Sequence, residues 1–220
     1  MNKLIKLLLS LLLTTCLIGC STSNDSKEET EDTSTTQVED NNEEENEKEE
    51  DTKDTTTTKK ETSTKVTVET INIESDSIVG SNYVTAISST SAKTPGSNQS
   101  PGIVFDAIDG ASEYCIYMID TTASNWLHWK ATGLTEVCYQ QGSNVGQYVG
   151  PYPPSGTHTY VIHVFALANK PDGYPGNMDS KNSSIDTIQS KLDVSSGNKG
   201  NVIGHGSISA KVVSGGEVIE

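Results

Sequence analysis

The sequence contains no arginine. Its 15 basic residues are all lysines, they face 30 acidic ones, and the formal net charge is −15. A basic groove for nucleic acid cannot be drawn from such a chain, so no nucleic-acid partner is expected. Bidentate guanidinium recognition of phosphate is excluded with it. Long apolar runs are missing too. Leu4–Ile5 and Leu7–Leu13, broken by Ser10, are too short to cross a bilayer. Cysteine is scarce, and its spacing matches neither CxxC nor a zinc site. HExxH and GxSxG are absent, and no obvious nucleophile stands out. Together these absences call for no cofactor and no metal, and they favour binding over catalysis.

What is present falls into three regions. Residues 1–19 read as a secretory signal: Lys3 and Lys6 at the start, the short leucine run, then "LIGC" ending in Cys20. An apolar residue three before a cysteine, with small residues between, is the lipobox pattern, so Cys20 is the expected lipidation site. Acyl chains bury CH₂ groups at about 0.8 kcal/mol each, and two or more make a stable anchor. The expected location is the outer face of a bacterial membrane, outside the cytoplasm. Residues 20–65 form the second region. Between 21 and 65 there are 16 acidic residues against 6 lysines, and Val38 is the only large apolar side chain. Such a stretch cannot offset its chain entropy by burial, so it reads as a disordered tether. Its 45 residues span roughly 35–40 Å root-mean-square. Residues 66–220 form the third region, one domain long, with 14 acidic residues and 7 lysines.

The third region is written in strands. "EYCIYMID", "WLHWKATGL", "THTYVIHVFAL" and "GHGSISAKVV" are apolar or alternating runs, and "KVTVETINIES" and "GIVFDAI" precede them. Turn signals such as "TPGSNQSPG", "GPYPPSG" and "KPDGYPGN" separate the runs. One helix is expected in "SSIDTIQSKL", where Ile185, Ile188 and Leu192 share a face. Ser183 or Ser184 would cap it, and Asp186 suits its positive end. The class is mainly β, a sandwich of sheets with one or a few helices. Cys115 and Cys138 either pair as a disulfide, or Cys115 is a small core residue.

Chemistry concentrates in two places. In the long strand, alternation puts His158, Tyr160, Ile162 and Val164 on one face, with His158 and Tyr160 where that face meets a proline-rich turn. In "SNWLHWK", strict alternation puts Trp126 and His128 on one face and Leu127 and Trp129 on the other. Asp120 ends its strand on the face of Ile116 and Met118. Each residue also has a plain structural reading: a hydrogen-bonded histidine, a packed tryptophan, an aspartate capping a turn. Pro151, Pro153 and Pro154 stiffen the turn, and Gly150 admits a close approach of a ligand to the backbone.

"MIDTTASNWLHWKATGL" followed by "QYVGPYPPSGTHTY" resembles the two signatures of the phosphatidylethanolamine-binding proteins, also called the Raf kinase inhibitor protein-like family. "NQSPGIVFDAIDGASEY" is similar to the family's Ser-Pro opening strand, and "NVIGHGSISAKVV" to its closing strand. The resemblance spans Ser97 to Val213 and, more loosely, begins at Val66. It implies a large central antiparallel β-sheet, a smaller flanking sheet and one or a few short helices near the C-terminus. It also implies a small pocket for an anion or a phospho-headgroup. Motif against motif, the ligand-binding residues would be Asp120, Trp126, His128, Gly150, Pro151, His158 and Tyr160.

The departures are specific. The family's Asp-Pro-Asp-Ala-Pro loop is "DTTAS" here, so Thr122 replaces the second aspartate and both prolines are gone. His-Arg-Tyr is His158-Thr159-Tyr160. Any anion must then rely on imidazolium, backbone N–H and hydroxyl donors. With histidines near their reference pKa of about 6.5, affinity is expected to fall as pH rises from about 5.5 to 8. Three functions follow in order. The first is a lipid-anchored, extracytoplasmic, non-enzymatic binding module, with an inhibitory or interaction role and a protein partner that stays unspecified. The second is a metal-dependent or acid–base hydrolase using Asp120, His128 and His158. The third is a glycan- or protein-binding surface made of exposed Tyr148, Tyr152 and Trp126, with a vestigial pocket.

Overall fold

The computed structural model describes residues 67–143 and 145–220. The leader, Cys20 and the tether lie outside the described residues. The described residues belong to one compact unit, Thr64–Glu220.

Among the described residues, thirteen strands and one α-helix follow in chain order: β1 (Glu69–Thr70), β2 (Ile73–Glu74), β3 (Ile78–Val79), β4 (Asn82–Tyr83), β5 (Ile103–Phe105), β6 (Glu113–Asp120), β7 (Trp126–Leu134), β8 (Cys138–Tyr139), β9 (Gln147–Tyr148), β10 (Thr157–Leu167), α1 (Ile185–Leu192), β11 (Val194–Ser195), β12 (Asn198–Lys199) and β13 (Val202–Val213). A 3₁₀ turn occupies Thr85–Ile87. The expected class holds: mainly β, one large sheet, a smaller flanking sheet and one α-helix near the C-terminus.

The large sheet runs β3-β4-β13-β10-β6-β7-β9. Its centre, from β13 to β9, is antiparallel throughout. Its margin is mixed, because β1 and β4 each join β13 in parallel. The flanking sheet is β2-β5-β8, antiparallel, and β11-β12 is a separate hairpin.

Alternation along β6 and β10 feeds two cores. Ile116, Met118, Tyr160, Ile162 and Val164 pack with Ile71, Ile103, Phe105 and Tyr139 between the two sheets. Cys115, Tyr117, Ile119, Phe165 and Leu167 point the other way and pack beneath α1, against Ile188 and Leu192. The sheet is therefore covered on both faces, and each fully buried aliphatic side chain contributes roughly 1.5–3 kcal/mol. The helix stripe is as expected: Ile188 and Leu192 are buried, Ile185 is half-buried, and Ser184 accepts the amide of Thr187 as N-cap. Cys115 is a free, buried thiol among these side chains, which selects the core reading over a disulfide. Burial pushes its ionisation up to about 12.

The structure corrects one face assignment. Met118 pairs with Trp129 but Ile119 pairs with Leu127, so the register slips and His128 is the extra residue of a β-bulge. Leu127 and Trp129 therefore do not share a face. Leu127 joins the helix-side core and Trp129 the inter-sheet core. Strict alternation could not show this, because a bulge changes the period at one residue.

His163 and His205 sit side by side on β10 and β13. His163 Nδ1 is 3.1 Å from His205 Nε2, and the rings stack with Phe165. Burial, and then the neighbouring His205, lower the His163 pKa to about 4. The unfolded chain takes up this proton near 6.5 and the folded chain only near 4. The contribution to stability is thus intact above pH 6.5 and is lost as pH falls towards 4, by about 3 kcal/mol at most. Urea denaturation at pH 7, 5.5 and 4.5 should show this slope, and His163→Phe should reduce it, leaving the smaller share of His128 and His205, whose pKa values burial also lowers. An equal slope in the variant would assign the acid loss to other groups.

Candidate functional site

The site begins with one carboxylate. Asp120 is the last residue of β6, pairs with Tyr160 of β10 and Trp126 of β7, and is 2 % exposed. Its two oxygens do different work. Oδ1 accepts the backbone N–H groups of Thr122 at 2.8 Å and Ala123 at 3.1 Å, capping the tight loop that follows. Oδ2 accepts the Nδ1–H of His158 at 2.6 Å. The turn-cap reading and the ligand-site reading of Asp120 thus describe the same residue.

That bond fixes His158 with Nδ1 towards the carboxylate, leaving Nε2 as the nitrogen for other partners. The His158 ring stacks on Tyr160 at 6.4 Å, and His128 meets the same Tyr160 edge-on at 5.1 Å. Tyr160 is fully buried, and its hydroxyl has no hydrogen-bond partner among the described residues. Burial first, and then the Asp120 carboxylate, hold its ionisation far above the ordinary value, so it stays a neutral hydroxyl donor. The carboxylate acts on the hydroxyl by its charge and as a nearby acceptor, but among the described residues no acceptor meets the hydroxyl in full bonding geometry.

His128 comes from the bulge, which turns it towards this group. Its Nδ1–H donates to the Val149 carbonyl at 2.8 Å, and its own carbonyl accepts the Val149 N–H at 2.8 Å. The neutral ring is thereby set as the Nδ1–H tautomer, with a lone pair on Nε2. Burial lowers the His128 pKa below the usual 6.5, outweighing the Val149 bond, Asp120 and Asp179, which raise it. This corrects the expectation of two ordinary histidines: His128 charges only at more acid pH and at neutrality presents an acceptor.

The loop departures from the family motif compensate one another. The Thr159 N–H donates to Thr122 Oγ1 at 3.0 Å, and Thr121 donates to the Thr159 carbonyl through both N–H (3.0 Å) and Oγ1 (3.1 Å). The residues standing at the resemblance's second aspartate and arginine are thus joined by an uncharged contact. Ser124 and Asn125, both with positive φ, close the loop without proline.

Trp126 is half-buried, and its indole N–H donates to Asp179 Oδ1 at 3.0 Å. Asp179 is anchored by its own N–H on the Leu127 carbonyl. It brings a second carboxylate to the neighbourhood of His128, one that sequence reading missed because it arrives from a loop 53 residues away.

Gly150 and Pro151 are positioned for a different partner than expected. A Cβ on Gly150 would stand 2.6 Å from the Ile87 carbonyl and 2.6 Å from the Ser89 nitrogen. The close approach that this glycine permits is to the Ile87–Ser89 backbone. Its N–H donates to Asn98 Oδ1 at 2.7 Å, and the Pro151 carbonyl accepts the Ser89 N–H. The turn is rigid because it is clamped on two sides, and Asn98 is a positioning residue with no signal in the sequence beyond its place in a turn. Tyr148 is half-buried and donates its hydroxyl to the Ile87 carbonyl, so of the three aromatics expected on the surface only Tyr152 is exposed.

Asp120, His128 and His158 do not converge as metal ligands. Asp120 and His158 face one another, and His128 Nδ1 is committed to Val149. Among the described residues no group of three His, Cys, Asp or Glu is set to hold a metal ion.

The sequence model of the phosphatidylethanolamine-binding protein family matches residues 74–213. No curated protein matches the chain. Among solved structures, an Escherichia coli protein, YbcL, described as a new member of the mammalian PEBP family, aligns at 19 % identity. That alignment covers 65 % of this chain and 98 % of YbcL, with a TM-score of 0.50. A putative phosphatidylethanolamine-binding protein homologue from Chlamydia trachomatis aligns at 16 % identity over 66 % of this chain and 97 % of its own, with a TM-score of 0.49.

Gly150→Ala should cost more than about 2 kcal/mol, because its methyl meets backbone that cannot yield. Gly156→Ala, at φ +68° with open space around it, should cost only about 1 kcal/mol. Chemical denaturation of both variants checks the ordering. Equal costs would mean that the clamp on the turn is loose.

Proposed function

The chain belongs to the phosphatidylethanolamine-binding protein family, and on that premise we propose that it is a lipid-anchored, extracytoplasmic binding protein for a small zwitterionic phospho-headgroup. The observation that carries the reading is the buried, unpartnered Tyr160 hydroxyl beside the Asp120–His158 pair. A buried donor left unmatched costs about 1–3 kcal/mol, which an acceptor oxygen of a ligand would recover. His158 Nε2 offers the second contact to the same phosphoryl group. His128 Nε2, neutral and an acceptor, suits a P–OH or an ammonium N–H. The two carboxylates, Asp120 and Asp179, disfavour a bare dianion and favour a ligand that brings its own positive charge. Phosphoethanolamine chemistry meets all of these demands better than inorganic phosphate. The strand beside the pair also borders an open cavity, which none of Asp120, His128, His158 or Tyr160 lines. Val212, the partner of His158 across β10 and β13, lines a cavity of about 270 Å³ with Tyr83, Pro153 and Lys211.

The lipid anchor rests on the "LIGC" pattern at Cys20, and the acidic stretch after it would hold the domain clear of the bilayer. A role without catalysis is the companion reading, because the site offers acceptors and donors but no activated nucleophile.

The test is a thermal-shift titration with phosphoethanolamine and with phosphate, in the parent and in His128→Ala/His158→Ala. Ligand at a hundred times Kd should stabilise by about 2.7 kcal/mol, or roughly 2–6 °C. Phosphoethanolamine should bind more tightly than phosphate, and Asp179→Asn should narrow the gap. Affinity should fall as pH rises through about 6, where a phosphate monoester loses the proton that His128 accepts. Equal binding of both compounds, or a preference for phosphoethanolamine over phosphate that survives the double variant, would remove the reading. In cells, Cys20→Ser should move the protein from the membrane to the soluble fraction. Retention there would contradict the anchor.

A further inference from the structure

We propose a second anion-binding site on the opposite face of the large sheet, in the cleft between the loop around Tyr174–Ser183 and helix α1. The cleft has a volume of about 470 Å³, and its lining includes Lys130, Lys181, Lys191, Asn177, Asn182 and Thr187. Lys130 opposes Tyr117 in the β6–β7 pair, and Tyr117 packs in the helix-side core, whereas Tyr160 packs between the sheets. The cleft lies on the helix side of the sheet and the Asp120–His158 pair on the inter-sheet side, although the loop that carries Lys181 also carries Asp179 and bridges Trp126.

The argument is electrostatic. Residues 66–220 carry 14 acidic side chains and 7 lysines. Three of those lysines line this one cleft, and no aspartate or glutamate does. Three like charges around one cleft repel one another unless something offsets them. Lys130 sharpens the point. Its ammonium donates to the Tyr174 carbonyl at 2.7 Å and the Gly176 carbonyl at 2.9 Å, and burial lowers its pKa. No carboxylate pairs with it among the described residues. Carbonyl dipoles hold the cation but leave its charge unneutralised. A lysine that only stapled the loop would need neither Lys181 nor Lys191, and both of those are exposed at the cleft, with no carboxylate paired to either among the described residues.

The cleft is also pre-formed. Asn182 accepts the Asn177 N–H and donates to the carbonyls of Asn177 and Ser180, locking the loop in place. Its lining is mostly amide, hydroxyl and ammonium. The chemistry that fits is a compact, hydrophilic molecule bearing a tetrahedral dianion, a phosphate or sulfate ester, with lysines acting as point charges. The attraction comes from the three nearby ammonium groups and is local, in a domain of net negative charge, and added salt should compete for it.

The experiment is a ¹H–¹⁵N NMR titration of the full chain with inorganic sulfate, repeated with inorganic phosphate. Sulfate stays a dianion and cannot donate to His128, and the His128→Ala/His158→Ala variant separates sulfate held beside Tyr160 from sulfate held in this cleft. Saturable shifts are expected at the amides of Asn177, Asn182 and Thr187, weakening as sodium chloride is raised. Lys181→Gln/Lys191→Gln changes two exposed residues, should leave the fold intact, and should raise the sulfate Kd about tenfold or more. His128→Ala/His158→Ala should leave it unchanged. No saturable shift at these amides, or a Kd unaltered in the lysine variant, would overturn the proposal. Loss of phosphoethanolamine binding with sulfate binding retained would fault only the headgroup reading.

Discussion

The bond between Asp120 and His158 organises everything else at the candidate site. One buried carboxylate ends β6, gathers the amides of the following loop on one oxygen, and holds the imidazole of the neighbouring strand on the other. A carboxylate placed there without those partners would be strongly disfavoured, since burying an unmatched charge costs several kcal/mol. With them, it couples three elements: the loop, the head of β10, and through Tyr160 the bulge that carries His128. The geometry explains why a short loop without proline still closes. Its first two threonines bind Thr159, and its amides bind Asp120.

Rigidity around this joint comes from a second set of contacts. The proline-rich turn is held by Asn98 on the Gly150 amide and by Ser89 on the Pro151 carbonyl, while Tyr148 reaches the Ile87 carbonyl from below. A site organised in advance loses little order when a ligand arrives. The same clamp consumes the Gly150 amide, so the groups left for a ligand are the hydroxyl of Tyr160 and the Nε2 nitrogen of His158. Their small number, beside two carboxylates, shapes the preference for a zwitterion.

Much of this was legible in the residues. The bounds of β6, β7 and β10 coincide with apolar or alternating runs, and α1 announces itself through Ser184, Asp186 and the Ile185–Ile188–Leu192 stripe. The two-residue strands β3, β4, β8, β9, β11 and β12 were not legible, because a pair of residues carries no period and its pairing is decided by the tertiary fold. The bulge at His128 was hidden for the same reason: it exists only in the register against β6. Asp179 and Asn98 are loop residues that reach the site across 53 and 52 positions of chain. Nothing local marks such a residue until the backbone has folded. The substituted motif positions Thr122 and Thr159 were visible as departures, but their contact with one another was not.

The most direct test of the account is a double-mutant cycle in urea denaturation, with Asp120→Asn, His158→Gln and the pair. If the carboxylate is the joint described, the two substitutions are coupled by about 1–3 kcal/mol, because each removes the same buried contact. Additivity within about 0.5 kcal/mol would contradict it, since Asp120 and His158 would then stabilise the fold independently.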